Sequence, residues 1–503
     1  MFNFFKKNVK KSPERFDSTK LQKDLNKNIE IFNSIFKDDD TLNKRLFENQ
    51  HNINIKFCAF FLIGMVNIEI INDNILKPLI LTDLKSMDIN DNLIDILSNK
   101  VLFTHKIKKS EDLSEIIDSI IYGDTILFIN GFNQVLIISS KGWEYIPITD
   151  PEAELVLRGP REGFNESLLT NISLIRRRLK TNDLKFKNRT FGTRTNTNAC
   201  ICYLDSLVDK KILDELNKRL DKIKIDGVLD TNYINEHIKD SPVSPFKTVG
   251  ITEKPDSVAA KLLEGRIAII LDGTPVALTV PYLFIENFQT SDDYYLNFFF
   301  ASFSRLLRIL GFLLSTVVPA IYVALTTYHR EMIPPPLALN IASAHQGLPL
   351  PIFVECVLML IVFDLIRETG LRMPANVGQA LSVVGALVIG QAAVQAKFIS
   401  APMIIIVAIS AITELINIKL KGITVIIRFI FICSTALLGF YGLFFTMIAF
   451  LIHIYNLTSL GIEYTSQLIS YKLQDAKDTL IRAPWWYMIT RPKLVKTDNI
   501  RNK

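Results

Sequence analysis

The chain has 503 residues, a net charge of +6 and 49% hydrophobic residues. A chain of this length predicts about two to four structural units. The modest positive charge does not indicate a nucleic-acid partner, and the five scattered cysteines are too few for a disulfide scaffold.

The first 50 residues are polar and show only weak helical periodicity, from Leu21 to Leu46. We interpret residues 1–50 as a mobile or peripheral helical segment. The opening stretch MFNFFKKNVKKSPERF contains no apolar core of signal-peptide length. The domain that follows is therefore expected to stay in the cytosol.

An internal repeat organises the next part of the chain. GDTILFINGFNQVLII begins at Gly123, GRIAIILDGTPVALTV begins at Gly265, and helical periodicity precedes both copies. The Asn-Gly pair of the first copy and the Asp-Gly pair of the second supply the positive φ angles of two-residue hairpin turns. We therefore predict two small α/β subdomains, over residues 51–160 and 161–290.

A helix is predicted between the two copies, with Asn165 as a possible N-cap and an apolar stripe along one face. Arg176, Arg177 and Arg178 crowd its last turn, where the helix dipole favours cations. Two interpretations follow. The arginines are the basic end of a surface helix, or they form a basic patch that contacts lipid headgroups or an acidic partner.

No catalytic constellation is visible in the sequence. The six histidines are scattered without metal-ligand spacing, and neither a phosphate-cradling glycine loop nor a nucleophile elbow is present. The sequence therefore predicts neither an enzyme nor a cofactor or metal site. Cys200 and Cys202 fit one face of a strand, and we interpret them as a buried pair.

Residues 295–457 are predicted to form an all-α polytopic membrane bundle of about five to six helices, followed by a cytosolic tail over residues 458–503. The apolar run over residues 309–328 has bilayer length, and two arginines on its leading side favour a cytosolic start. Residues 423–455 exceed one span. They predict either a helical hairpin or one long tilted helix.

Three acidic residues fall within the apolar runs. Glu355 and Asp364 lie in the segment 352–366, and Glu414 lies near one end of the segment 399–418. An ionised side chain in lipid is costly, so such residues usually face a protein interior or water. They are candidate functional groups, although Asp364 is equally explained as the mark of a helix end.

The segment 377–396 reads VGQALSVVGALVIGQAAVQA and is the most suggestive helix. Small and polar side chains recur along it at helical spacing: Gln379, Ser382, Ala386, Gly390 and Ala393. Such a row indicates either a face for tight helix packing or a pore wall with room for water and ions. The spacing alone leaves both interpretations open.

Several long motifs in order carry a family resemblance. GPREGFNESLLTNISLIRRRLK (159–180), HREMIPPPLALNIASAHQGLPLP (329–351), IRETGLRMP (366–374), GQALSVVGALVIGQAAVQA (378–396) and DTLIRAPWW (478–486) closely resemble the A subunit of GerA-type spore germinant receptors. The resemblance covers most of residues 110–490. It implies a protein of the spore inner membrane.

The resemblance also implies partners and a mechanism. The family's receptors contain a B subunit of transporter-like fold that binds the nutrient, and a lipoprotein C subunit. Family A subunits are thought to form a ring, a pentamer, around a nutrient-gated cation channel. Carried over to this chain, the pore-lining residues are predicted to be Gln379, Ser382, Ala386, Ile389 and Ala393.

Three alternatives accompany this hypothesis: a paralogous sporulation stage V membrane protein, a non-conducting signalling scaffold, and a membrane enzyme or lipid transporter that uses the three acidic residues. The chain also departs from the family pattern. TELINIKLKG replaces a Ser-Phe and proline stretch after Ile412, and Leu360 stands where an acidic residue is common.

Overall fold

The computed structural model describes residues 21–84, 93–142, 154, 156–373, 385, 388–469 and 478–488. Two α/β subdomains precede a helical domain, as the sequence predicted. Each subdomain is a five-stranded antiparallel sheet with helices on both faces. Burial on both faces explains the unbroken apolar run at Phe57–Leu62, where every side chain is buried.

The described part of subdomain 1 contains two helices and five strands, together with further helical stretches over residues 68–81 and 93–101. The elements are α1 (Leu25–Ile35), β1 (Leu42–Glu48), β2 (Lys56–Leu62), β3 (Ile107–Ser110), α2 (Leu113–Ile121), β4 (Asp124–Ile129) and β5 (Val135–Ser139). The structure therefore corrects the prediction of a peripheral segment for residues 21–50, the part of that segment that it describes. Helix α1 buries Leu25, Ile29 and Phe32, and β1 forms one edge of the sheet.

Subdomain 2 repeats this arrangement. Its elements are α3 (Leu168–Arg178), β6 (Leu184–Phe191), β7 (Thr197–Leu204), α4 (Lys210–Asp221), α5 (Thr231–Ile238), β8 (Gly250–Thr252), α6 (Pro255–Leu263), β9 (Ile267–Leu271) and β10 (Ala277–Val280). The strand orders, β1-β2-β4-β5-β3 and β6-β7-β9-β10-β8, are the same permutation. The short sequence repeat thus belongs to a duplication of the whole subdomain.

The hairpin loop hydrogen-bonds to the first helix of its subdomain in both copies. Asn130 accepts the Leu25 amide at 3.5 Å, and Asp272 accepts the Leu168 amide at 3.0 Å, so each loop side chain satisfies a donor at the start of the first helix. The glycines that follow have positive φ, as predicted. The prediction of two-residue turns is wrong, because five residues separate the strands in each copy.

A buried arginine joins the two subdomains. Arg176 donates to Asp39 at 2.8 Å and to Thr41 at 2.7 Å, and both ionic side chains are fully inaccessible. The predicted surface position of this helix end is therefore wrong for Arg176, which follows the buried Ile172 by one helical turn. Arg177 and Arg178 both pair with Glu162.

The helical domain contains α7 (Phe298–Thr327), α8 (Pro335–His345), α9 (Ile352–Arg372), α10 (Ala401–Leu415) and α11 (Lys421–Asn456). Residues 388–395 are also helical. Among the described residues, two helical stretches, Phe298–Thr327 and Ile418–Asn456, are long and apolar enough to cross a membrane by length and composition. Pro319 lies inside α7.

Helix α11 is a hairpin of two antiparallel arms. Gly439 has φ 60° and ψ −141°, outside the helical region. The rings of Phe431 and Phe450 are 6.0 Å apart, whereas a straight helix would separate them by about 28 Å at ~1.5 Å per residue. The arms touch where Gly442 passes Ser434, because a Cβ on Gly442 would lie 2.1 Å from the Ser434 carbonyl oxygen.

A disulfide tests the hairpin. The hydroxyls of Ser434 and Thr446 are 2.9 Å apart, so S434C/T446C in a C433S background is expected to oxidise within one chain. Mass spectrometry of non-reduced peptides detects the bond. The matched pair S434C/F445C should not form it, because Phe445 points outward and is 63% exposed. A single straight helix would leave both pairs reduced.

The subdomain joint gives a second prediction. Replacing Arg176 with Met leaves the Asp39 carboxylate buried without its partner, which costs about 3–5 kcal/mol. Amide hydrogen exchange should accelerate in β1 and α3. R177M is the control, because Arg177 is partly exposed and Glu162 retains Arg178 as its ion-pair partner. Equal protection in both variants would contradict this role of Arg176.

Candidate functional site: a buried charge network in the helical domain

Two of the predicted acidic residues meet two arginines inside the helical domain. Arg428 contacts Asp364 at 2.9 Å and Glu414 at 2.9 Å. Arg367 contacts Asp364 at 3.1 Å and also pairs with Glu414. These four residues, which we call the charge ring, alternate in sign and have no net charge.

The charge ring ties several helices together. Asp364 and Arg367 come from α9, Glu414 from α10 and Arg428 from the first arm of α11. The Arg428 side chain is fully inaccessible and Glu414 is 1% exposed. Ser410 connects the ring to α7, since its hydroxyl accepts from Arg428 at 3.3 Å and donates to the Ser315 carbonyl at 2.7 Å.

Alternating charges suit this setting because an unpaired ion would be expensive among apolar helices. Each carboxylate faces two guanidinium groups, so every charge in the ring has two opposite neighbours. Such a closed network fixes the position of one helix against the next. Asp364 is therefore a member of the ring, and the helix-end explanation is not needed.

Glu355 belongs to a separate group at the opposite end of α10. Its carboxylate accepts the Ser400 amide and the Ser400 hydroxyl, both at 2.6 Å. Ser400 is itself the N-cap of α10. The His345 ring lies 3.4 Å from the other Glu355 oxygen. Glu355 thus links α8 to the start of α10, away from the charge ring.

A third buried group, the base clamp, anchors α7 to the segment that precedes it and to the tail. Arg305 contacts Asp293 at 3.2 Å and Asp478 at 3.1 Å, and Arg308 contacts Asp293 at 2.9 Å. Burial raises the pKa of Asp478 even though Arg305 opposes the shift. The Arg482 amide donates to Ser302 at 3.1 Å, which holds the tail against α7.

The predicted pore row is only partly described. Gln379, Ser382 and Ala386 lie outside the described residues. Ala393 is half-buried and packs against the hydrophobic core of the bundle, and a Cβ on Gly390 would lie 3.9 Å from Ile404. Ile389 faces outward and is 42% exposed. The row therefore divides between a packed side and an exposed side.

Sequence reasoning missed the polar residues of the exposed side. Gln391 and Gln395 are both exposed in the structure. The two glutamines are four residues apart and so share one helix face. This four-residue spacing is visible in the sequence. The pore prediction was based instead on the row of small residues on the neighbouring face.

In the parts of the chain that the structure describes, no group of three His, Cys, Asp or Glu side chains could hold a metal ion. Cys200 and Cys202 are fully buried with their sulfurs 4.0 Å apart. Burial raises the pKa of Cys200 well above its usual range, so its thiol is not poised for reaction.

The charge ring predicts a marked effect of one substitution. Glu414→Gln leaves two arginines facing the single carboxylate of Asp364, which costs about 3–5 kcal/mol. The thermal unfolding midpoint of the detergent-solubilised protein should fall by several degrees. The double variant E414Q/R428Q restores neutrality and should recover part of the loss. E368Q is the control, because Glu368 pairs with Arg372 at the exposed surface of α9.

Comparison with known proteins gives consistent matches across the chain. The family model described as "Bacillus/Clostridium GerA spore germination protein" matches residues 30–494. The chain is 40% identical over 450 residues to spore germination protein KA of Bacillus subtilis (strain 168), covering 89% of this chain and 82% of the relative. It is 35% identical over 446 residues to spore germination protein GerLA of Bacillus cereus, covering 88% and 89%.

One solved structure is also similar. It is the N-terminal domain of the A subunit of the Bacillus megaterium spore germinant receptor GerK3, at 30% identity and a TM-score of 0.43, covering 53% of this chain and 98% of that domain. The match of the family model to most of the chain and the identity to full-length relatives agree with the resemblance that the motifs carried. The chain belongs to the GerA family of spore germination proteins.

Proposed function

We propose that this chain is the channel-forming A subunit of a spore germinant receptor and conducts cations across the spore inner membrane when a nutrient is bound. The observation that supports it is the exposed polar face of the helix over residues 388–395. Gln391 and Gln395 are exposed in a helical domain that contains two long apolar helical stretches. Polar side chains at bilayer depth usually face water or protein, so this face fits a pore better than lipid.

The helix lengths support placement in a membrane. Helix α7 has 30 residues and spans about 45 Å, more than the roughly 30 Å hydrocarbon core. Each arm of the α11 hairpin is about 25 Å long at ~1.5 Å per residue, close to the thickness of that core. The charge ring lies within this helical domain and leaves it without net charge at that level.

The proposed assembly follows the family resemblance. Copies of the chain form a ring, a pentamer in the proposal, with the segment 377–396 of each copy facing the central axis. A transporter-like B subunit binds the nutrient and a lipoprotein C subunit completes the receptor. Helix α8 leaves room for such neighbours, since none of its 11 residues is buried within the chain.

Substitution at Gln391 tests the channel. Gln391→Leu removes a polar group from the proposed ion path and should slow nutrient-triggered cation release about tenfold, the effect of roughly 1.4 kcal/mol on a barrier. Release is measured from spores that hold equal amounts of the receptor. C433S is the control, because Cys433 is exposed on the α11 hairpin. Unchanged release in Q391L would contradict the assignment of this face to the pore.

The residues that the resemblance placed in the pore have a test of their own. A bulky or charged replacement of Ser382 or Ala386 should change cation release at normal protein level. If both variants release cations as the unmodified receptor does, the pore wall does not include that row.

A non-conducting scaffold is the second candidate function. It is favoured by the inward packing of Gly390 and Ala393 against the same chain. The receptor reconstituted with its partners in vesicles distinguishes the two candidates. Cation flux on nutrient addition supports the channel, and absence of flux with intact nutrient binding supports the scaffold.

A further inference from the structure

A loop of subdomain 2, over residues 241–245, ends in an exposed apolar tip. It reads SPVSP, and we call it the proline loop. Val243 is 97% exposed, the highest value among the large apolar side chains that the structure describes. Pro242 and Pro245 are exposed as well. Adjoining exposed apolar side chains mark candidate contact surfaces for lipid or protein.

The proline loop is fixed against the last turn of α11. The Ser244 hydroxyl lies 3.0 Å from Nε2 of His453, and it accepts the Phe246 amide at 3.3 Å. The Phe246 ring is buried, with its centre 5.6 Å from that of Phe450 and 5.9 Å from that of His453. These contacts hold the loop in place beside the helical domain, and Val243 projects outward from it.

The contact with His453 lies about one hydrocarbon thickness from the tip of the α11 hairpin. At the tip, a Cβ on Gly439 would lie 3.1 Å from the Tyr328 side chain at the end of α7. Lower down, the centre of the Phe450 ring is 6.5 Å from that of Phe312 in α7. Tyr328 and Phe312 are about 24 Å apart along α7 at ~1.5 Å per residue, and His453 lies ~4.5 Å beyond Phe450. His453 is therefore about 28 Å below the tip, close to the roughly 30 Å of the hydrocarbon core.

The helix surfaces at the level of the proline loop fit the boundary of a bilayer. Leu451, Ile452 and Tyr455 of α11 are each more than half exposed, so an open apolar surface continues down to the loop. Tyrosine is enriched at the membrane–water interface. On α7, residues 309–327 carry no charged side chain, and Arg308 precedes them. The charged part of α7 therefore begins near the level at which the loop contacts α11.

The backbone of the proline loop is suited to an apolar environment. Backbone N–H groups that lose water without gaining a partner are costly in lipid. Pro242 and Pro245 have no N–H group, and the Ser244 amide donates to the Ser241 carbonyl at 3.2 Å. The Val243 amide is thus the one donor between Pro242 and Pro245 that this turn does not satisfy, and none of these residues carries a charge.

We propose that the proline loop inserts Val243 into the lipid boundary of the bilayer and thereby anchors subdomain 2 to the membrane surface. The proposal rests on the membrane location given in the proposed function. The apolar loop continues the exposed apolar surface of α11 at the depth where the hydrocarbon core ends. A second protein is the competing occupant. One valine and two prolines offer far less than the ~800 Å² that each partner buries in a standard protein interface, so lipid fits the tip better.

Probe fluorescence in vesicles of phosphatidylglycerol and phosphatidylcholine tests the anchor on the full-length chain. A single introduced cysteine carries an environment-sensitive label in a C433S background, because the other four cysteines are buried. The V243C label should be quenched at least about twofold more by lipids with a nitroxide near the headgroup than by lipids with one at the chain end. L229C is the matched control. Leu229 is 69% exposed in the same subdomain, but it precedes α5, whose other end, about 12 Å away, leads into the loop. Its label should be quenched by neither lipid.

A label on I452C separates this proposal from the proposed function. Ile452 is 56% exposed on α11, so its label should be quenched if α11 lies in lipid. Quenching of I452C with V243C unquenched, as in L229C, overturns the anchor and leaves the membrane location intact. If neither I452C nor V243C is quenched, the membrane location fails and the anchor fails with it. A blue-shifted V243C label that the nitroxide lipids do not quench identifies a protein contact, which also overturns the lipid anchor.

Discussion

Burial of arginine is the constraint on which the assembly of this chain depends. Among the residues that the structure describes, the largest fully buried side chains are Arg176, Arg305 and Arg428, and each lies where separate parts of the protein meet. Because a guanidinium group does not lose its proton, each must face carboxylates wherever it is buried. The carboxylates come from another segment in every case, so neutralising the charge fixes the arrangement of the parts.

The joints differ in how much they bring together. Arg176 connects two subdomains of the same fold, and its Asp39 partner lies between α1 and β1 of the first copy. Arg305 connects three segments, since Asp293 precedes α7 and Asp478 belongs to the tail. A substitution at such a joint acts on relative position, because the sheets and helices on either side keep their own cores.

The helical domain combines an interior fixed by ion pairs and hydrogen bonds with outer surfaces that make few contacts within the chain. The charge ring and the Glu355 group fix α9 and α10, whereas α8 and the outward face of residues 388–395 make few contacts within the chain. Fixed helices that expose apolar and polar surface together suit a subunit that is completed by other subunits.

Because they depend on local physical chemistry, several features were determined by the sequence itself. They are the two α/β units, the helices that precede the two hairpins, the positive φ of the hairpin glycines and the helical domain. These features depend on residues close together in the chain, or on hydropathy summed over a segment. The family could also be identified from the sequence, because its long motifs are continuous stretches of residues. The predicted acidic residues were found for the same reason, since a charge in an apolar run stands out.

Only the tertiary structure decided which residues meet. Three consecutive arginines look alike in sequence, yet Arg176 is buried against Asp39, 137 residues away, and its neighbours are partly exposed. The α11 hairpin and the closure of the charge ring depend likewise on contacts between distant segments. Local periodicity assigns a residue to a helix face, but its partner is set by how whole elements pack, and no local pattern records that.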